Sequence, residues 1–247
     1  MLDNKQTFGI NSGDYARFRP TYPKVFYEFL TAHLVSKDKA WDCACGTGQV
    51  AKDLTGYFNE IYATDISKNQ IVNAFRHPKI KYAVSPAEQT DFPDNFFDLI
   101  GVGQALHWFD IDKFFKEANR VLKRNGILAV FGYGFFKVNK DIDQLLDTYL
   151  YAAVEPYWSD RNMLVINGFE GIDFPFQPVA MPEFDFKFNW QLSDMLSYIS
   201  TWSAVKIYNS KHKIPLEKQV FERLEKIWIN EQAVRMSFFS FVRQKLF

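Results

Sequence analysis

The sequence predicts an α/β fold: a doubly wound, mostly parallel sheet of seven strands with an antiparallel edge pair and helical additions. Three observations predict it. Apolar strand-like runs alternate with helical segments from Pro23 to Tyr133, the pattern of a parallel sheet covered on both faces. A glycine loop, Gly46-Thr47-Gly48, follows the first such run. The final hundred residues then change to helical segments and two runs of two-residue period.

Pro23 stands near the first position of a helix running to Leu34, with Phe26, Phe29 and Leu30 on one face. Ala40 to Ala44 reads as a strand ending at the glycine loop, and a helix follows from about Gln49 to Phe58. Ile61 to Thr64 is a strand closed by Asp65, Ser67 to Phe75 a helix, and Ile80 to Val84 a strand. Phe97 to Gly103 has the continuous apolar character of a buried strand. Asp110 caps a helix carrying Phe114, Ala118, Val121 and Leu122 on one face, Asn125-Gly126 ends it, and Ile127 to Tyr133 is a fifth strand. Beyond it come an amphipathic stretch from Ile142 to Glu155, a region rich in Pro and Phe from Gly168 to Pro182, and helices over Ser193 to Tyr208 and Leu216 to Trp228. Phe184, Phe186, Phe188 and Trp190 alternate with polar residues, as do Val234, Met236 and Phe238, and these two strands suit an antiparallel edge pair.

Composition narrows the function. Lys and Arg total 29 against 29 Asp and Glu, without the basic excess of a dedicated phosphate-backbone binder, so no nucleic-acid partner is expected. Aromatic residues make up 18% of the chain, 26 of them Phe, enough to stock a core and leave some for a pocket wall. Cys43 and Cys45 lie too close along an extended strand for a disulfide, and four scattered His offer no zinc spacing, so no metal is expected. The first residues lack a charged-then-apolar leader pattern and no run of eighteen apolar residues occurs, which predicts a cytoplasmic protein without a membrane partner.

A strand ending at Asp42, then Ala44, Gly46 and Gly48, then a helix, presents backbone N–H groups and a helix start to a ligand. A pyrophosphate-binding G-x-G-x-x-G is disfavoured, because Ala44 holds its first glycine position and Gln49 its third. Asp65, seventeen residues past Gly48, stands where a carboxylate can accept both hydroxyls of a ribose, or can cap the helix that follows. Together they point to a ribose without a pyrophosphate.

These residues carry a family resemblance. Trp41-Asp42-Cys43-Ala44-Cys45-Gly46-Thr47-Gly48-Gln49 resembles the first motif of class I S-adenosylmethionine-dependent methyltransferases, and Ile61-Tyr62-Ala63-Thr64-Asp65-Ile66-Ser67 the second. Ser85 to Leu99 resembles the adenine-side segment and fourth strand, and Glu117 to Ala129 the helix, turn and strand after it. Tyr15 to Pro23, Gln104-Ala105-Leu106-His107-Trp108-Phe109-Asp110 and Thr201-Trp202-Ser203-Ala204-Val205 are similar to the methyltransferase type 11 subgroup, including trans-aconitate methyltransferases. Ala44 departs from the family's usual glycine, a change that still permits close backbone approach at negative φ. The segment Phe238 to Phe247 does not align with the family pattern.

The resemblance implies a Rossmann-like single domain, with residues 1–35 as an amino-terminal cap, 36–135 as the cofactor core and 136–247 as substrate-side helices and late strands. It implies S-adenosyl-L-methionine as cofactor, with Gly46 and Gly48 beneath the methionine, Asp65 at the ribose, Ala87 and Glu88 by the adenine, and Ala44 and Ile66 also among the cofactor-binding residues. Gln104 would lie behind the sulfonium, and Tyr15 and Arg19 near the cofactor's carboxylate and the substrate. The partner implied is a small molecule, such as a carboxylate, methylated by direct displacement. His107 is the candidate base, and Trp108, Trp202 and Arg161 the substrate-side candidates. Two other readings stand beside this one: a cofactor-binding protein without turnover, and a methyltransferase of a quinone-like or lipid-like acceptor in which His107 works as base.

Overall fold

Residues 19–246 are described in a computed structural model, which leaves Tyr15 outside the described residues. Helix α1 (Lys24–Ala32) precedes the alternating units β1 (Lys39–Cys43), α2 (Gln49–Leu54), β2 (Glu60–Asp65), α3 (Lys68–Val72), β3 (Ile80–Val84), β4 (Phe97–Gly103), α4 (Ile111–Val121) and β5 (Leu122–Lys137). Helices α5 (Lys140–Leu146) and α6 (Asp160–Ile166) follow, then β6 (Gln177–Pro178) and β7 (Lys187–Trp190). Helices α7 (Leu192–Ser200), α8 (Ser203–Lys211) and α9 (Leu216–Leu224) lead to β8 (Gln232–Gln244).

The strands form one sheet in the order β3-β2-β1-β4-β5-β8-β6, with β7 also paired to β8. The first five run parallel, while β8 is antiparallel to β5, β6 and β7. The sheet has eight strands rather than the expected seven, because Gln177 and Pro178 add a two-residue pairing at Arg243 and Gln244.

Successive side chains of a strand face opposite sides, and each side here has its own core. Ala40, Leu99, Ile127, Ala129 and Phe131 join Phe26, Leu54 and Phe58 from α1 and the α2 region. Trp41, Ile100, Leu128 and Val130 join Phe97, Phe114, Ala118 and Phe169 on the other face. Helices α5, α7, α8 and α9, with the π turn after α5, pack into the first core through Leu146, Leu150, Met195, Val205 and Leu224, while α6 packs on the second through Leu164 and Val165. Seven Phe side chains are among the largest fully buried groups, so most of the Phe surplus is core.

Several boundaries differ from the sequence reading for local reasons. Helix α4 ends at Val121, and Asn125-Gly126 lies inside β5, where Asn125 takes φ 63° and its N–H meets the Lys245 carbonyl at 2.6 Å. Helix α3 stops at Val72, with the Arg76 guanidinium on the carbonyls of Ile71 and Val72. The single helix expected over Ser193 to Tyr208 is two, because Trp202 takes ψ 135° between α7 and α8. The stretch from Ile142 to Glu155 is helical but passes through a π turn at Asp147–Tyr151. Helix α6 was not foreseen; its signal is Ser159 with Asn162 three residues on, a reciprocal capping box.

The carboxyl-terminal segment is fastened by Lys245, whose Nζ donates to the carbonyls of Asn119 (2.6 Å) and Leu122 (2.8 Å) and to Asn95 Oδ1 (3.3 Å). It closes the end of α4 onto β5. Lys245→Met leaves these acceptors unpaired and is expected to lower unfolding free energy by about 2 kcal/mol in urea titration; an unchanged midpoint would show that the tether is dispensable.

Candidate functional site

Strand β1 lies between β2 and β4, so connections leave it toward opposite halves of the sheet, and a crevice opens at the carboxyl ends of β1 and β4. A cavity of about 560 Å³ occupies that crevice, within the range of small-molecule sites. Its walls come from the loop after β1, the ends of β2, β3 and β4, the turn at Trp108, and Arg19, Tyr133 and Arg161.

The loop after β1 is shaped by left-handed residues: Ala44 at φ 56°, Gly46 at 55° and Gly48 at 83°. Ala44 therefore does not keep the negative φ expected of it. Its Cβ crowds the backbone in that conformation, a cost of about 1 kcal/mol that the loop's hydrogen bonds offset. Cys45 N–H donates to the Thr64 carbonyl at 2.8 Å, and Gly46 N–H donates to Asp65 Oδ2 at 2.9 Å. Asp65 Oδ1 accepts Ser67 N–H at 2.8 Å, so one carboxylate fixes both the glycine loop and the turn into α3. Each oxygen keeps a further lone pair for a ligand hydroxyl. Burial raises the Asp65 pKa against the pull of those two N–H groups.

Gly48 does not line the cavity. It begins α2, and a Cβ there would meet the Tyr82 hydroxyl at 2.1 Å, so close approach requires the glycine. Gly46, Asp65, Ile66, Ala87, Glu88 and Gln104 all line the cavity, Ile66 as a half-exposed apolar side chain. Glu88 Oε1 also accepts Asp110 N–H at 2.9 Å, joining this wall to the start of α4. Gln104 stands at φ 56° just past β4 and donates from Nε2 to the Tyr133 carbonyl at 2.9 Å, while its Oε1 is buried with no partner among the described residues. Gly132 makes room for it, since a Cβ there would lie 2.6 Å from that oxygen.

His107 sits in the 3-10 turn Leu106–Trp108 and is 7% exposed, outside the cavity lining. Its Nδ1 is buried with no hydrogen-bond partner among the described residues, and burial, with Arg161 and Arg19 nearby, pushes its pKa down to about 3. The imidazole is therefore neutral and weakly basic. Trp108 and Arg161 do line the cavity, and Arg161 Nη1 donates to the Trp108 carbonyl at 2.8 Å, tying α6 to that turn. Trp202 lies instead in the core, 5% exposed among Phe135, Tyr151, Trp158 and Tyr198.

Sequence reasoning passed over two lining residues. Tyr22 packs edge-on to Phe131 at 4.7 Å and reaches the cavity floor, and Asp42, buried at 1% exposure, accepts Ala51 N–H at 2.8 Å from the first turn of α2. A carboxylate ending a buried strand and followed by a helix was the available signal for Asp42. Among the described residues no His, Cys, Asp and Glu group suits a metal ion, and no helix is long and apolar enough to cross a membrane. Both cysteines are free thiols whose pKa burial pushes well up.

Residues 41–130 match the family model described as a methyltransferase domain. A Dictyostelium discoideum protein named as a methyltransferase is 32% identical over 201 residues, covering 80% of this chain and 76% of that protein. The chain belongs to the class I S-adenosylmethionine-dependent methyltransferases. S-adenosylmethionine is accordingly its cofactor. A solved structure from Anaeromyxobacter dehalogenans, named a type II methyltransferase, is 29% identical with a TM-score of 0.86, over 92% of this chain and 98% of that one. A Neisseria meningitidis protein named ubiquinone/menaquinone biosynthesis C-methyltransferase is 33% identical over 133 residues, about half of each chain.

Asp42 gives the methyltransferase a pH signature. Burial raises its pKa to about 7, whereas an unfolded Asp ionises near its ordinary value of 3.8. Between those values the unfolded chain binds fewer protons than the folded one, so this group's contribution to stability falls as pH rises from about 4 to about 7 and is level beyond. Asp42→Asn keeps an acceptor for Ala51 N–H and is expected to gain on the order of 3 kcal/mol relative to wild type between pH 5 and pH 8. Urea unfolding at both pH values checks this, and an identical difference at each contradicts it.

Proposed function

We propose that this methyltransferase methylates a small molecule through a carboxylate oxygen, using the cavity at the β1 and β4 strand ends for cofactor and acceptor. The fit of S-adenosylmethionine is supported by a cavity of suitable size, by open lone pairs on Asp65 and by the unpartnered Gln104 Oε1. In this reading Asp65 accepts the ribose hydroxyls, Ile66 and Ala87 cover the adenine with Glu88 at its edge, and the backbone of Ala44 and Gly46 forms the bed for the methionine, while Gly48 lets the loop pass close to Tyr82. Gln104 lies behind the sulfonium, and Arg19, with Tyr15 from outside the described residues, approaches the methionine carboxylate and the acceptor. Bound there, S-adenosylmethionine supplies a methyl on a positively charged sulfur, which an acceptor oxygen displaces in line as the carbon–sulfur electron pair passes to sulfur.

The chain's own task is then alignment and exclusion of water. Arg161 and Arg19 attract and orient an anionic acceptor, Arg161 already braced on the Trp108 carbonyl. Trp108 and Phe109 offer apolar, π-rich surface to the transfer region. The single observation that carries the carboxylate reading is His107, buried beside two arginines and with its pKa lowered to about 3. A phenol, quinol or carbon acid needs a proton removed, for which so weak a base is poorly suited; a carboxylate needs none. The similarity to the quinone-pathway enzyme spans only half the chain, and a quinone-like or lipid-like acceptor with His107 as base is the reading that the test below would favour on the opposite result.

Labelled methyl transfer to panels of small carboxylic acids and of quinols decides between them. Methyl esters are expected, with kcat/KM flat through the neutral range and retained in His107→Asn within about tenfold. Methylation confined to quinols, with a rising limb near pH 6.5 that His107→Asn abolishes, contradicts the proposal.

A further inference from the structure

Two cavities meet at one aromatic side chain. Besides the one at the ends of β1 and β4, a second of about 940 Å³ lies between α1, the end of α2 and β7. Its wall is mixed: Tyr57, Phe186, Phe188 and Trp190 offer rings, and the cations Lys24 and Lys187 are paired with Glu28 and Asp185. Among the described residues, Arg19 and Tyr22 are common to the linings of both cavities.

Tyr22 is fixed where the two cavities meet. Pro20 and Pro23 restrict the backbone that carries it, and its buried ring lies edge-on to Phe131 at 4.7 Å, 5.8 Å from Tyr133 and stacked at 6.4 Å on Phe186. Tyr133 lines the first cavity and Phe186 the second, so the ring stands between them as a partition. Its hydroxyl reaches the end of β4, where a Cβ on Gly103 would lie 3.1 Å from it. Gly103 lines the first cavity and precedes Gln104, so Tyr22 borders the region in which the methyl is transferred in the reading above. An acceptor seated there with its carboxylate toward the sulfonium meets this ring as its chain lengthens, and the space beyond has aromatic surface that suits an alkyl tail. Resting on that placement of cofactor and carboxylate acceptor, we infer that Tyr22 is a specificity-determining residue of the methyl transfer, limiting acceptor length by closing the second cavity to it.

Straight-chain carboxylic acids of increasing length, methylated by the full chain, test this. The wild type is expected to favour short acids. Tyr22→Leu and Tyr22→Ala join the two cavities and are expected to raise the ratio of kcat/KM for dodecanoate over butanoate at least about tenfold, whereas Tyr22→Phe keeps the ring and the wild-type ratio. Lost packing alone would lower both rates without turning the preference toward the longer acid, and binding of S-adenosylhomocysteine shows that each variant is folded. An unchanged ratio in variants that bind S-adenosylhomocysteine, or a wild type that already favours dodecanoate, overturns the assignment and leaves ester formation standing. A wild type that methylates none of the acids overturns the carboxylate reading and this role with it.

Discussion

The carboxylate of Asp65 is the joint on which the cavity proposed for the cofactor depends. One oxygen holds the glycine loop through Gly46 N–H and the other holds the turn into α3 through Ser67 N–H. Three left-handed residues, one of them an alanine, are kept in register by that joint and by Cys45 N–H on Thr64. The parallel pairing of Cys43 with Thr64 brings the two strand ends side by side, so the loop and the acid meet because adjacent strands end together. A carboxylate already oriented by two backbone donors meets a ligand with little reorganisation, the general advantage of a preorganised polar group.

Much of this was legible in the chain. The spacing from Gly48 to Asp65 covers one helix and one strand, which puts the acid opposite the loop whatever the loop sequence, and the capping by Asp110 and Ser67 occurs where hydroxyl and carboxylate residues precede apolar periodicity. Less legible were features set by tertiary packing. Asn125-Gly126 carries the local signature of a helix stop, yet it answers to Lys245 from the far end of the chain. Trp202 and Trp108 look equivalent in sequence, but one is walled in by five aromatic rings and the other faces the cavity. The left-handed φ of Ala44 is imposed by neighbouring hydrogen bonds, which no property of alanine announces.

His107 illustrates the same limit in its chemistry. Its place after β4 marks it as a candidate base, but basicity depends on surroundings that sequence spacing does not reveal: burial of Nδ1 and two nearby guanidinium groups. The same cations that weaken the imidazole favour an anion, so the two effects converge on one class of acceptor. The first core shares this division of labour, since α5, α7, α8 and α9 pack on the face that carries α1 and α2, while α6 packs on the other and brings Arg161 to the cavity.

Calorimetric binding of S-adenosylhomocysteine to the wild-type protein and to Asp65→Ala tests the centre of this structure most directly. Wild-type binding that weakens at least about a hundredfold in Asp65→Ala, as expected when a ligand's paired hydroxyls and the loop brace are lost together, is the predicted result. Equal affinity in the two proteins would contradict the placement of the cofactor at the ends of β1 and β2.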